Sequence, residues 1–138
     1  MHYYNGLKEL IGNTPLVKLN NVGVGQGAAL FAKLELYNPL GSVKDRTGKY
    51  MVESFERDGR LKKGGTVIEA TAGNTGLGIA FAALNKGYRV IFVVPEKFSA
   101  EKLVLMQALG AEIIRTKRED GMLGAESGYF FDEICGKY

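Results

Sequence analysis

The stretch Arg89 to Val94 (RVIFVV) constrains the fold of this chain more than any other part of the sequence. It is an almost unbroken apolar run of strand length, it ends at Pro95, and it lacks the alternation of a strand with one face in water. We therefore predict a strand that is buried on both faces. The flanking sequence predicts two more strands, at Thr66–Ala70 and Glu112–Thr116. It also predicts one helix before the central strand, at Thr75–Lys86, and one after it, at Ala100–Leu109. Strands that alternate with helices through short loops predict an α/β fold with a parallel sheet, right-handed crossovers and flanking helices.

The remaining sequence predicts shorter elements on either side of this pattern. Before it, we expect a short helix, a strand, a loop, a second strand and an amphipathic helix, at Gly6–Ile11, Leu16–Leu19, Val22–Gly27, Ala29–Leu36 and Thr47–Arg57. After it, we expect a turn-rich loop and a last helix that two glycines weaken, at Arg118–Gly124 and Ala125–Tyr138. A length of 138 residues fits one domain with a substantial core.

Composition excludes several classes of function. The net charge of +3 is small and lysines are interspersed with glutamates, so nothing favours nucleic-acid binding. The single histidine, His2, excludes a His-rich metal site or a Ser-His-Asp arrangement within this chain. The single cysteine, Cys135, excludes a disulfide within the chain, which favours a cytoplasmic location. No apolar run is long enough to span a membrane, and the N-terminus lacks a signal-peptide pattern.

The stretch Asn38 to Arg46 (NPLGSVKDR) is the first candidate for chemistry. Pro39 and Gly41 favour a bend, and Ser42 is a good helix cap because its oxygen can accept a hydrogen bond from a free amide at the helix start. Lys44 then lies in the first helical turn, where the positive end of the helix dipole disfavours a protonated amine. A partly deprotonated lysine can attack a carbonyl group. The same residues also fit an ordinary cap with solvated charges.

The glycine-rich turn from Thr71 to Gly76 (TAGNTG) is the second candidate. It connects a predicted strand to a predicted helix, at the carboxyl end of the sheet where ligands bind in α/β folds. Its small residues let a ligand approach the backbone, and the free amides of the helix start favour an anion. Its spacing is neither that of the dinucleotide fingerprint nor that of a phosphate-binding P-loop. A tight turn in which Asn74 and Thr75 only cap the helix is an equally good interpretation of these residues alone.

Together the two motifs resemble the N-terminal part of fold-type II enzymes that depend on pyridoxal phosphate, in the group of cysteine synthase and cystathionine β-synthase. The resemblance implies the cofactor pyridoxal 5′-phosphate and the N-terminal domain of the tryptophan synthase β-like fold, a three-layer parallel sheet with flanking helices. Five stretches support it in the order of the family: IGNTPLVKLNN (11–21), AKLELYNPLGSVKDR (32–46), GGTVIEATAGNTG (64–76), VVPEKFSAEK (93–102) and QALGAEII (107–114).

The resemblance also implies roles for individual residues. Lys44 would form the Schiff base with the cofactor and later remove the α-proton of the substrate, and Asn74 would donate a hydrogen bond to the cofactor 3′-oxygen. The substrate α-carboxylate would bind to the turn and the helix amides, at Thr71, Ala72, Gly73, Asn74 and Thr75. The reaction expected from the family is β-replacement on O-acetylserine or serine by sulfide or homocysteine, giving cysteine or cystathionine. A homodimer or swapped oligomer is the expected assembly.

The chain departs from the family in two respects. Many cysteine synthases have serine at the position of Ala72, and TAGNT together with Arg118–Met122 looks more like a bacterial subgroup that makes cystathionine from an activated serine and homocysteine. Family chains are about twice as long, and their second half contains a phosphate-binding loop and a hydroxyl that faces the pyridine nitrogen, neither of which is found after Thr116. We therefore expect an incomplete N-terminal half that is inactive alone.

The resemblance divides the chain into two parts. Residues 1–36 would pack on the second domain of the family, and residues 37–138 would form the small N-terminal domain. Without that second domain, the strands predicted at Leu16–Leu19 and Ala29–Leu36 would expose apolar edges. Two other functions fit the sequence: a non-catalytic truncated relative that acts as a binding or oligomerisation module, and a relative that uses serine or threonine in elimination.

Overall fold

The computed structural model describes residues 1, 3–20, 27–96, 98 and 100–116. Within these ranges an antiparallel hairpin, β1 (Leu16–Leu19) and β2 (Leu30–Lys33), precedes a parallel sheet of spatial order β3-β4-β5. The parallel strands are β3 (Thr66–Ala70), β4 (Arg89–Pro95) and β5 (Glu112–Thr116). The helices are α1 (Lys44–Arg57), α2 (Asn74–Ala83) and α3 (Ala100–Ala108), and short 3₁₀ turns occupy Leu7–Leu10 and Glu35–Tyr37.

The central strand β4 organises the core. Four of its residues in succession, Ile91 to Val94, are 0% exposed. In the parallel ladders Ile91 lies opposite Ile68 of β3, and Phe92 lies opposite Ile113 of β5. Each fully buried side chain of this size contributes roughly 1.5–3 kcal/mol through removal of apolar surface from water. The predicted doubly buried strand and the predicted parallel α/β sheet are both confirmed.

All three helices contribute to one large apolar cluster against the sheet. From β4 the cluster contains Val90, Phe92 and Val94, which alternate along the strand and so share one face. From the helices it contains Val52 of α1, Leu77 and Ile79 of α2, and Leu103 and Met106 of α3. On the other face of the sheet a smaller cluster forms around Val93, with Ile68, Ala70 and Ile114.

The helices α1 and α2 touch backbone to backbone at two glycines. A Cβ atom added to Gly48 would overlap the carbonyl group of Gly78, and one added to Gly78 would overlap the backbone carbonyl of Lys44. Glycine in a helix interior is about 1 kcal/mol less favourable than alanine. The two glycines are explained by the close packing of the helices, which leaves no room for a Cβ atom. The contact fixes the first turn of α1, and with it the backbone of Lys44, against α2.

The predicted helix 47–57 exists, but it begins earlier. It starts at Lys44 because Val43, with φ −57° and ψ −20°, already has helical geometry. Val52, which is 2% exposed, is the buried apolar residue of this helix, whereas Tyr50 is 67% exposed. Lys44 therefore lies at the very start of α1, within the first turn as predicted.

Two other element ends differ from the predictions. α2 ends at Ala83 rather than Lys86, and Asn85 then adopts a left-handed φ of 63°, which is incompatible with a continued helix. The strand predicted at Ala29–Leu36 is confined to Leu30–Lys33, because the chain turns into the 3₁₀ segment that follows. The helix predicted at the N-terminus is a 3₁₀ turn, and the remaining strands and helices agree with the predictions to within one residue.

Several predictions concern residues that the structure does not describe. They are those for 22–26, 118–124 and 125–138, together with the positions of His2 and Cys135. Among the described helices, none has the length and apolarity that crossing a membrane requires.

The N-terminal segment is tied to the end of α2 by Lys8. The Lys8 amine donates to the carbonyl oxygens of Ala82 at 3.0 Å and Leu84 at 2.6 Å, where the last carbonyl groups of the helix lack intrahelical partners. Burial, followed by the nearby Lys86 charge, lowers the pKa of Lys8. A cation at a helix C-terminus also opposes the partial negative charge of the helix dipole.

The hairpin β1–β2 presents an apolar face to solvent. In its register Val17 lies opposite Ala32 and Leu19 lies opposite Leu30, so these four side chains share one face. Val17 is 41% exposed and Leu30 is 38% exposed. A two-stranded hairpin is marginally stable by itself, so a partner on this face would add to its stability.

We predict that Gly48→Ala and Gly78→Ala each lower the free energy of unfolding by roughly 1–3 kcal/mol, because the new methyl group must push the two helices apart. Alanine favours a helix intrinsically, so a loss here can only come from the contact between the helices. Denaturation in urea measures the change. Gly6→Ala is the matched control, since the added Cβ meets no atom within 4 Å there. Unchanged stability of both helix variants would contradict the close contact.

Candidate active site

The two sequence motifs meet at the N-termini of α1 and α2. The side-chain amide of Asn74, the first residue of α2, donates to Ser42 Oγ at 3.2 Å. The same oxygen accepts the backbone N–H of Lys44, the first residue of α1, at 3.1 Å. Ser42 thus accepts a free amide at the helix start as predicted, although the N-cap position itself is Val43, and its hydroxyl also connects the two helix starts. Ser42 itself is buried.

Lys44 projects from this junction with a free amine. Its residue is exposed, and its amine makes no hydrogen bond or ion pair with any residue that the structure describes. The backbone, in contrast, is held on both sides, by Ser42 through the N–H and by the Gly78 contact at the carbonyl. A fixed backbone with a free amine suits a lysine that must react with a ligand.

The glycine-rich turn follows β3 directly and leads into α2. Thr71 is buried, Ala72 packs against the large apolar cluster, and Gly73 is extended with φ −130° and ψ −157°. Space is open beside Gly73, where an added Cβ would meet nothing within 4 Å. The first amides of α2 point out of the helix start, as in any α-helix, and favour an anionic group in that space. Thr75, in the first turn, is half-buried.

Helix α3 packs against the same turn through Gly76. An added Cβ at Gly76 would lie 2.8 Å from the Met106 methyl carbon and 2.7 Å from the Thr71 methyl carbon. Met106 is 0% exposed. The absence of a side chain at position 76 therefore lets α3 and Thr71 close against the start of α2, which holds the turn in shape.

Sequence reasoning missed Lys102, which also contacts the site. The Lys102 amine, on the first turns of α3, donates to the side-chain oxygen of Asn74 at 2.9 Å. The two residues are 28 positions apart in sequence. No local sequence pattern predicts this pair, because the two residues come together only through the packing of the crossover helix α3 beside α2.

A polar network supports the turn before Lys44. Arg46 forms a two-point ion pair with Glu35, with Nε to Oε2 at 2.8 Å and Nη2 to Oε1 at 3.0 Å. Arg46 Nη2 also donates to the Gly12 carbonyl at 2.9 Å, and Asn38 donates to both the backbone and the carboxylate of Glu35. The hydrogen bonds from Arg46 lower the pKa of Glu35 to about 2. The network joins residues 12–14, the 3₁₀ turn and the start of α1.

Asp45, the neighbour of Lys44, is 0% exposed. Its Oδ2 accepts the Leu40 backbone N–H at 2.7 Å, while Oδ1 has no hydrogen-bond partner among the described residues. Burial raises the pKa of Asp45, and the hydrogen bond from Leu40 opposes this effect. Asp45 therefore fastens the Pro39–Gly41 bend to the first turn of α1, whereas the side chain of Lys44 stays outside the core.

Comparison with known proteins identifies the family of this arrangement. Residues 7–131 match the family described as pyridoxal-phosphate dependent enzyme. The chain belongs to this family. Its resemblance to fold-type II enzymes of the cysteine synthase and cystathionine β-synthase group, predicted from the sequence, is therefore confirmed.

Individual members of the pyridoxal-phosphate dependent family are similar to most of the chain. O-acetylserine dependent cystathionine beta-synthase of Bacillus subtilis (strain 168) is 56% identical over 119 residues, which is 86% of this chain and 39% of the relative. Cysteine synthase of Staphylococcus aureus (strain Mu50 / ATCC 700699) is 44% identical over 135 residues, which is 91% of this chain and 44% of the relative. The chain thus spans less than half the length of these relatives.

The fold agrees with that of a solved family structure. The crystal structure of cystathionine beta-synthase from Bacillus anthracis aligns with a TM-score of 0.77 and 54% sequence identity, covering 92% of this chain and 48% of that one. The α/β class with a parallel sheet and flanking helices, predicted from strand and helix patterns, is the fold of this family.

We predict that Glu35→Gln lowers the free energy of unfolding at neutral pH. The free energy of unfolding of the variant should also depend less on pH in the acid range than that of the wild type. Because the pKa of Glu35 is lowered to about 2, its stabilising effect is complete above the usual pKa of about 4.5 and is lost as the pH falls towards 2. The difference in free energy of unfolding between wild type and variant should therefore shrink over that interval. Urea denaturation at a series of pH values measures it.

Glu96→Gln, at an exposed position after β4, is the control for removing a carboxylate elsewhere. A difference between wild type and Glu35→Gln that stays constant from pH 4.5 to 2 would show that the ion pair with Arg46 does not hold Glu35 ionised.

Proposed function

We propose that the protein catalyses a pyridoxal-phosphate dependent β-replacement on an activated serine. The observation that supports this most directly is the junction of two helix starts at Ser42, with the free amine of Lys44 on one helix and the amide of Asn74 on the other. Membership of the pyridoxal-phosphate dependent family supports the choice of cofactor.

The described residues fit this cofactor. The Lys44 amine is exposed and unpaired within the described part of the chain, so it can bond to an aldehyde carbon. Asn74 is exposed at the same junction of helix starts, and the space next to Gly73 is open at the start of α2. Pyridoxal phosphate, when bound, would supply an electron sink for negative charge at the substrate α-carbon. The amide N–H of Asn74 would donate to the 3′-oxygen of the cofactor.

The chain's own residues would then position the substrate and move a proton. Thr71, Ala72, Gly73, Asn74 and Thr75, with the free amides of α2, would bind the α-carboxylate through hydrogen bonds and the helix dipole. Lys44 would accept the α-proton, which requires a neutral amine close to the α-carbon. Loss of the β-substituent would leave the substrate β-carbon open to addition of a thiol.

We infer that O-acetylserine is the donor and that homocysteine, rather than sulfide, is the acceptor. Ala72 removes a hydroxyl from the carboxylate-binding turn relative to many cysteine synthases. The relative named for cystathionine formation from O-acetylserine is 56% identical to this chain, against 44% for the relative named cysteine synthase. The protein is proposed to act in the cytoplasm as a homodimer.

The exposed hairpin face supports a proposal about assembly. We infer that residues 1–36 contribute this face, Val17, Leu19, Leu30 and Ala32, to a contact with a second domain or a second copy, while residues 37–138 form the domain that contains Lys44. The same face favours a second candidate function, a non-catalytic binding or oligomerisation module.

Pyridoxal phosphate added to the protein is expected to give a new visible absorption band in the wild type and in Lys63→Ala, an exposed lysine in the turn before β3. Lys44→Ala should abolish the band, because the other amine that the structure describes at this junction, that of Lys102, is already bonded to the side-chain oxygen of Asn74. Spectrophotometric titration measures both. A band of equal intensity in Lys44→Ala would contradict the role of Lys44.

Products distinguish the candidate reactions. Incubation of the protein with O-acetylserine and homocysteine, in the presence of the C-terminal half that its relatives contain, is expected to give cystathionine, detected by mass spectrometry. Cysteine formed from sulfide at the higher rate would contradict the choice of acceptor, and pyruvate or 2-oxobutyrate would indicate elimination. Cofactor binding without any turnover under these conditions would favour the non-catalytic module.

We predict that the double variant Val17→Ser/Leu30→Ser weakens self-association, because it removes two exposed apolar side chains from one face of the hairpin. Lys18→Ser, on the opposite face of β1, is the matched control. Sedimentation velocity measures the distribution of masses. An unchanged distribution in the double variant would argue against a contact between copies through this face.

A further inference from the structure

The contact between Lys102 and Asn74 has no part in the function proposed above. Lys102 Nζ lies 2.9 Å from Asn74 Oδ1, and Asn74 Nδ2 lies 3.2 Å from Ser42 Oγ. Ser42 Oγ in turn accepts the backbone N–H of Lys44. One chain of hydrogen bonds therefore joins the first turns of α3, α2 and α1, with the Asn74 amide in its centre.

The chemistry of the lysine decides how this amide is oriented. An ammonium group only donates hydrogen bonds, so it must face the oxygen end of Asn74 and not the nitrogen end. The nitrogen end then faces Ser42 and the junction with Lys44. Without Lys102, rotation of the amide by half a turn would exchange its oxygen and nitrogen, and Ser42 could donate its hydroxyl to the oxygen instead.

The packing of α3 explains why Lys102 reaches this position. Lys102 and Met106 are four residues apart on one helix and so lie on the same face. Met106 is fully buried in the notch that Gly76 leaves open, and Leu103 is 5% exposed in the large apolar cluster. The buried side chains fix the rotation of α3, which directs the exposed Lys102 across the start of α2.

We propose that Lys102 is a positioning residue that holds the Asn74 amide with its N–H groups towards the ligand that Lys44 binds. The inference rests on the proposed function, in which that ligand is pyridoxal phosphate and its 3′-oxygen is the acceptor. Lys102 acts through Asn74. It also brings a positive charge next to an amide that must stabilise an oxygen with partial negative charge.

This role differs from a structural one in its expected effects. A hydrogen bond between exposed side chains contributes little to the stability of a fold. Lys102→Met keeps the apolar stem and removes the donor, so the stability of the cofactor-free protein should hardly change. Cofactor binding should weaken about tenfold, which is the effect of losing the one hydrogen bond from the Asn74 amide to the 3′-oxygen of the cofactor. The visible absorption maximum should also shift.

The experiment compares four variants after titration with pyridoxal phosphate. Lys102→Met should weaken binding and shift the absorption maximum, Asn74→Ala should do so at least as strongly, and Lys102→Arg should restore both because it keeps a donor of similar reach. Lys63→Met makes the same chemical change at an exposed site and should match the wild type. Wild-type binding and absorption in Lys102→Met, together with a defect in Asn74→Ala, would overturn the proposal.

A second measurement needs no cofactor. In the cofactor-free protein, the side-chain amide signals of Asn74 are identified in a proton–nitrogen NMR spectrum by their loss in Asn74→Ala. They should shift in Lys102→Met and return near the wild-type position in Lys102→Arg. Signals that stay in place in Lys102→Met would overturn the proposal. If Lys44→Ala binds pyridoxal phosphate as the wild type does, the proposed function fails, and the NMR result still decides the role of Lys102.

Discussion

The backbone contact between α1 and α2 at Gly48 and Gly78 determines the geometry of the whole site. It brings two helices to a separation that any side chain would prevent, and the carbonyl of Lys44 forms part of the contact surface. The N-terminus of each helix contributes one half of the site. Their relative position therefore comes from main-chain packing and depends little on the rotamers of long side chains.

Around this contact the backbone of Lys44 is fixed by its neighbours, whereas its side-chain amine is left available to react. Asp45 and Arg46, the next two residues, are both engaged: one is buried against the Leu40 amide and the other is paired with Glu35. The Lys44 side chain remains free of such partners in the described part of the chain. A reactive amine with this arrangement can move towards a ligand while its attachment point stays still.

Most of the fold could be predicted from the sequence because the spacing of apolar residues and the glycines that mark turns and helix ends are local signals. The parallel sheet, its doubly buried strand and the position of Lys44 at a helix start all followed from neighbouring residues. The ends of α1 and α2 were wrong by three residues each, since Val43 and Asn85 adopt dihedral angles that no periodic pattern reveals. Lys102 was missed for a different reason, because its partner is determined by how helices cross.

Both ends of α2 have a separate use, which makes the first residues of the chain part of the site's support. Its N-terminus presents the amides beside Gly73, and its C-terminus is closed by the amine of Lys8. Any attempt to engineer a minimal version of this domain must therefore keep the segment that contains Lys8. A shorter design that begins at β3 would retain every residue of the glycine-rich turn, yet it would leave the far end of the supporting helix uncapped.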